Sequence, residues 1–138
     1  MSENTKEIKH LKLSLLLLRL GIFIVFFVWT MDKFFKPEHA VKVFSKFYFI
    51  DGLSLNMAYI IGAIQLLVVI AFLLGLMKRY SYGLLLLMHL VSTVTPFVKY
   101  FDPFSNLLFF AAWPMLAALI ALYLLREHDT LFNFKRKL

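Results

Sequence analysis

The chain has 138 residues, of which 62% are hydrophobic and only 17% charged, with a formal net charge of +7. Its mean hydropathy is +0.80, whereas a soluble domain is about 45–50% apolar and about 25% charged. These figures exclude a disordered chain, a nucleic-acid-binding arm and an ordinary water-soluble enzyme, and they fit four membrane spans with little besides.

The first predicted span covers residues 11–31. It is too long for the apolar region of a signal peptide and no small-residue cleavage site follows it, so it reads as a retained helix. Arg19 lies inside this run, about 10 Å of helix rise from Lys12. A cation there either snorkels to the headgroups, pairs with backbone carbonyls or with an acid near the inner surface (Glu127 and Asp129 are the candidates), or holds an anionic or polar ligand. Trp29 suits interfacial anchoring at the outer end. Asp32 and Lys33 cap the span beside it.

The loop from Asp32 to Leu55 is the longest piece outside the spans. Pro37 fits the first turn of a helix. Ala40, Val41, Phe44, Phe47 and Tyr48 then recur at three- and four-residue spacing, with Lys42, Ser45 and Lys46 largely opposite. This pattern predicts a short amphipathic helix on the outer surface or capping the bundle, ended by Gly52.

The second span covers residues 56–77 and stops at Lys78 and Arg79. Gln65 lies near its middle, one turn after Gly62, which allows close helix approach. The third span covers residues 80–98. His89 is near its centre, and Ser92, Thr93 and Pro96 follow at +3, +4 and +7, on the same helix face. Such a polar face points into the bundle or a cavity. Gln65 and His89 fall at similar depth on consecutive antiparallel helices, within reach of direct contact. Interhelical hydrogen bonding is the structural reading of these residues, and ligand binding is the functional one.

Asp102-Pro103 marks the turn before the fourth span, residues 107–125. Trp113 lies about 9 Å below the outer end of that span, deep for an interfacial anchor. Pro114 after it is expected to kink the helix. Ala111, Ala112, Ala117, Ala118 and Ala121 permit close packing, within the chain or with a partner.

With four spans, Lys6, Lys9, Lys12, Lys78, Arg79, Arg126, Lys135, Arg136 and Lys137 share one side, against Lys33, Lys36, Lys42, Lys46 and Lys99 on the other. The excess places both termini in the cytoplasm. The basic residues sit at the ends of apolar runs, so anchoring and topology explain them better than nucleic acid does.

Cysteine is absent, which excludes disulfides, thiolate metal sites and iron–sulfur clusters. His89 is the one histidine inside a span, so bis-histidine haem within one protomer is disfavoured. No zinc ligand cluster, nucleophilic triad, phosphate loop or dinucleotide fingerprint is present.

Leu17-Leu18-Arg19-Leu20-Gly21, followed by Trp29-Thr30-Met31-Asp32-Lys33-Phe34, resembles the Leu-Arg-x-x-x-Gly run and Gly-x-x-Lys-Leu-like motif of the DoxX-like superfamily, which includes the MauE-type proteins. Gly62-Ala63-Ile64-Gln65 and Leu74-Gly75-Leu76 resemble that family's second span. His89, Thr93 and the ending Arg126 to Asp129 also fit, and the resemblance covers residues 13–130. Gln65 stands where the family often has an acid, and Trp29 where a small residue is common. The resemblance implies an all-α four-helix transmembrane bundle. It also implies a role among thiosulfate:quinone oxidoreductase subunits, maturation proteins and accessory proteins.

The resulting expectation is a single integral membrane domain, in the bacterial inner membrane, serving a redox or maturation system as an accessory protein or non-catalytic subunit. Arg19, Gln65, His89, Ser92, Thr93 and Trp113 are the expected ligand residues. Trp29, Asp32 and Lys33 form the outer mouth. The ligand is a quinone or similar amphipath, no metal is expected, and a membrane or periplasmic protein partner carries the electron-transfer centre. A non-enzymatic scaffold or assembly factor is one rival reading. An oligomeric channel or carrier for a small solute is the other.

Overall fold

A single helix, α1, runs unbroken from Glu3 to Phe35. The computed structural model describes residues 3–134, so Lys135, Arg136 and Lys137 of the orientation count lie outside the described residues. At 1.5 Å per residue α1 is about 50 Å long, longer than the hydrocarbon core of about 30 Å. Residues 3–10 are exposed, and burial begins in earnest at Leu15 and Leu16.

The remaining helices are α2 (Pro37–Tyr48), α3 (Leu55–Leu73), α4 (Lys78–Val94) and α5 (Ala112–Leu124), and no strand occurs among the described residues. α1 packs on α3, α3 on α4, α4 on α5, and α5 returns to α1, closing an antiparallel bundle. α2 lies across α1 and α3 at what is here termed the far end, opposite the start of α1. The core is one stripe from each bundle helix: Leu15, Ile22 and Phe26; Val69 and Phe72; Tyr82 and Leu85; Leu119 and Leu122. The opposite stripes are apolar too. Leu17, Ile24, Val28, Ile64, Leu67, Leu87 and Leu124 are all exposed, as befits helices whose outer solvent is hydrocarbon.

Glu3–Phe35, Leu55–Leu73 and Leu107–Leu124 are long and apolar enough to cross a membrane. α4 completes the bundle with only 17 residues. The predicted third span to residue 98 therefore ends early, just before Pro96, which has no N–H with which to continue the ladder. Residues 97–111 form three short 3₁₀ pieces, Phe97–Phe101, Pro103–Ser105 and Leu107–Ala111. The fourth span thus begins as 3₁₀ turn. Pro114 sits in the first turn of α5, where its missing N–H costs little, and it starts the helix instead of kinking one.

Other boundaries differ in instructive ways. α2 stops at Phe49, which itself takes the left-handed conformation (φ 57°). Gly52 shapes the following turn. α3 stops at Leu73, short of the predicted residue 77, because Gly75 (φ 65°) closes it. The Leu76 N–H bonds the Ala71 carbonyl and the Gly75 N–H bonds that of Phe72, the paired bonds of a Schellman ending.

Candidate functional site

A cavity of about 1340 Å³ opens between the bundle helices and α2. α2 closes it with Ala40, Phe44, Phe47 and Tyr48 of the face predicted from its spacing, joined by Val43, while the predicted Val41 does not line it. A hydrogen bond of 2.8 Å between Tyr48 Oη and Ser92 Oγ ties α2 to α4. At the far mouth, His39 Nδ1 lies 2.6 Å from Asp32 Oδ2, pinning the start of α2 to the end of α1. Lys33 lies beside them and donates to the Trp29 carbonyl at 3.3 Å.

His89 stands on the α4 wall and is 1% exposed. Its Nε2 bonds the Ala112 carbonyl oxygen at 2.9 Å, linking α4 to the start of α5. Trp29 stacks beside the imidazole at 6.1 Å between centroids, and Phe26 meets it edge-on at 6.2 Å. Nδ1 is buried and has no hydrogen-bond partner among the described residues. Gln65 is 7% exposed and also lines the cavity. Its carboxamide makes no hydrogen bond among the described residues. Gln65 and His89 therefore share a cavity but do not hydrogen-bond each other.

The cavity reaches the outer surface of the bundle. Leu17, Gly21 and Val28 of α1, Leu87 and Val91 of α4, and Leu108 line it while remaining exposed. Ala111, Ala112 and Ala118 line it as well. Their small side chains leave room that larger residues would fill.

Three expected ligand residues lie elsewhere. Thr93 is fully buried and donates back to the His89 carbonyl at 2.7 Å. Trp113 is 47% exposed and packs against Tyr100 at 5.5 Å between centroids. Tyr100, not Trp113, contributes the cavity wall there.

Arg19 belongs to a separate cluster at the near end. It is 1% exposed and lies 3.5 Å from the Asp129 carboxylate, which is fully buried. Its guanidinium also bonds Asn133 Oδ1 and the backbone carbonyls of Leu131 and Phe132. Tyr82 Oη donates to the other side of the cluster, 2.6 Å from Asp129 Oδ2. Lys78 Nζ donates to the carbonyls of Arg126 and Asp129. The segment after α5 is thereby folded under the bundle, and the Phe134 N–H reaches the Leu74 carbonyl at 3.0 Å. Of the two acids considered for Arg19, Asp129 makes the pair, while Glu127 is exposed beside Arg126. Tyr82 and Asn133 gave no sequence signal for this role, since each acquires it only through the fold.

Apolar outer faces and an antiparallel helical bundle around a cavity with a few polar groups define an integral membrane protein. The DoxX family model matches residues 14–98, more than half of the chain. The chain belongs to the DoxX family. No curated protein and no solved structure matches it.

Proposed function

We propose that the protein is an accessory protein or non-catalytic subunit of a membrane redox or maturation system, and that its cavity binds a quinone-like or other amphipathic ring compound. The observation that carries this reading is a pair of polar groups on one apolar cavity, the buried Nδ1 of His89, which has no hydrogen-bond partner among the described residues although Nε2 is bonded, and the Gln65 carboxamide, which makes no hydrogen bond among them. A buried polar group left unpaired costs about 1–3 kcal/mol. A ligand that brings a hydroxyl donor to Nδ1 and an oxygen to the Gln65 carboxamide recovers that cost.

Size and access support the same reading. Pockets for small molecules measure about 300–1,000 Å³, so a cavity of about 1340 Å³ holds a ring and part of an apolar tail. The exposed lining residues lie on the surface that faces hydrocarbon, so the ligand enters from the bilayer. Trp29, stacked beside His89, offers an aromatic wall, whereas Trp113 does not line the cavity. Arg19, paired with Asp129, holds the segment after α5 and does not line the cavity. Ala111, Ala112 and Ala118 make space for a ligand and not for a neighbouring helix, which weakens the scaffold reading.

In this proposal the protein lies in the bacterial inner membrane with both termini cytoplasmic, and a membrane or periplasmic partner carries the redox centre. The test is mass spectrometry of an organic extract of the purified protein. A stoichiometric amphipath, lost in His89→Ala and Gln65→Ala proteins that still fold, is the expected result. An empty extract, or full retention in both variants, overturns the reading.

A further inference from the structure

The two ring nitrogens of His89 have different surroundings, and the difference bears on which oxidation level of a ring compound fits. Nε2 faces the Ala112 carbonyl oxygen at 2.9 Å. A carbonyl oxygen only accepts, so Nε2 carries the hydrogen. In the neutral imidazole this leaves Nδ1 as an acceptor with a free lone pair. A second hydrogen would put an uncompensated charge between Phe26 and Trp29, in apolar surroundings that oppose it. Besides His89, the charged or titratable groups on the cavity wall are Asp32, Lys33 and His39 at the far mouth, where Asp32 is already bonded to His39, together with Tyr48, whose hydroxyl pairs with Ser92, and Tyr100, whose hydroxyl donates to the Thr93 carbonyl.

We propose that His89 makes the cavity selective for a hydroxyl-bearing ring, a hydroquinone or phenol, over the corresponding quinone. This rests on the cavity being a ring-binding site at all. A phenolic O–H donates to Nδ1 and satisfies it. A quinone presents only a carbonyl oxygen, so two lone pairs face each other and both groups stay unpaired. Gln65 does not discriminate, because its carboxamide both donates and accepts. The Tyr48–Ser92 hydroxyl pair is equally tolerant, since either oxygen can be the donor.

The test compares a decyl-substituted benzoquinone, its hydroquinone, and the dimethyl ether of that hydroquinone. Equilibrium dialysis is run without oxygen on the purified full chain in detergent. The hydroquinone is expected to bind tenfold tighter than the quinone, about 1.4 kcal/mol, and the ether no tighter than the quinone. His89→Phe keeps an aromatic ring beside Trp29 and is expected to bring the ratio below threefold. Gln65→Leu is expected to weaken both forms and preserve the ratio. A wild-type ratio below threefold, an ether that binds as tightly as the hydroquinone, or an unchanged ratio in a folded His89→Phe protein overturns the selectivity and leaves the cavity reading intact. Absence of saturable binding by all three compounds overturns the cavity reading itself. Should His89→Phe not fold, the wild-type ratio and the ether decide.

Discussion

Arg19 and Asp129 lie 3.5 Å apart beneath the bundle, one on the first helix and the other in the segment after the last, and both are essentially inaccessible to solvent. Removing one member of a buried pair leaves an uncompensated charge and costs about 3–5 kcal/mol. Asp129→Ala should therefore lower the thermal stability of the detergent-solubilised protein sharply. Arg19→Leu combined with Asp129→Leu should cost much less than Asp129→Ala alone, because no charge is then left buried. A double variant as unstable as the single one would show that the tail is held by its backbone contacts and not by the pair.

Gly75 connects the end of α3 to the same cluster. Its φ of 65° suits glycine, and a Cβ there would lie 2.8 Å from Arg19 Nη1 and also press on Asn133. Gly75→Ala combines left-handed strain with displacement of the guanidinium, and strain of this kind alone costs about 1–3 kcal/mol. The expected result is a lower melting temperature and faster proteolysis of the segment after α5. Wild-type behaviour in both assays would mean that the near-end cluster tolerates a shift of Arg19.

The apolar runs announced α1 and α3 because hydrocarbon-facing helices must satisfy their backbone internally, and the three- and four-residue spacing announced α2. Periodicity also placed His89, Ser92, Thr93 and Pro96 on one face. It could not give the rotation of that face against the cavity. Ser92 reaches Tyr48, while Thr93 turns back to its own helix. Trp113 does not line the cavity for a related reason: the turns before it are 3₁₀, with three residues per turn, so an α-helical count misjudged its direction. The partner of Arg19 could be narrowed to two acids, but the choice between them depends on how the tail folds under Gly75. That geometry involves contacts far apart in sequence, which no local pattern encodes.

The Tyr48–Ser92 bond is the polar tie between the amphipathic helix and α4. Tyr48→Phe keeps the ring and removes the bond, worth about 0.5–1.5 kcal/mol. Hydrogen exchange should rise in α2, while the core amides of α3 and α4 stay protected. Ser92→Ala should have the same effect, and the double variant should add little to either single change. Additive effects from the two substitutions would mean that the hydroxyls act on separate partners.

Gly21 offers the most direct way to close the cavity without touching its polar groups. It lines the space, and a Cβ built on it meets nothing within 4 Å. It also sits in the interior of α1, where glycine is less favourable than alanine by about 0.5–1 kcal/mol. Gly21→Leu should therefore leave the melting temperature unchanged or raise it, while its side chain occupies volume that a ring or tail would need. Binding of a decyl-substituted hydroquinone should fall at least tenfold in this variant. Gly21→Ala should gain the helix benefit with little loss of binding. If Gly21→Leu binds as wild type does, the ligand occupies the α2 side of the cavity alone, and the route from the bilayer does not pass α1.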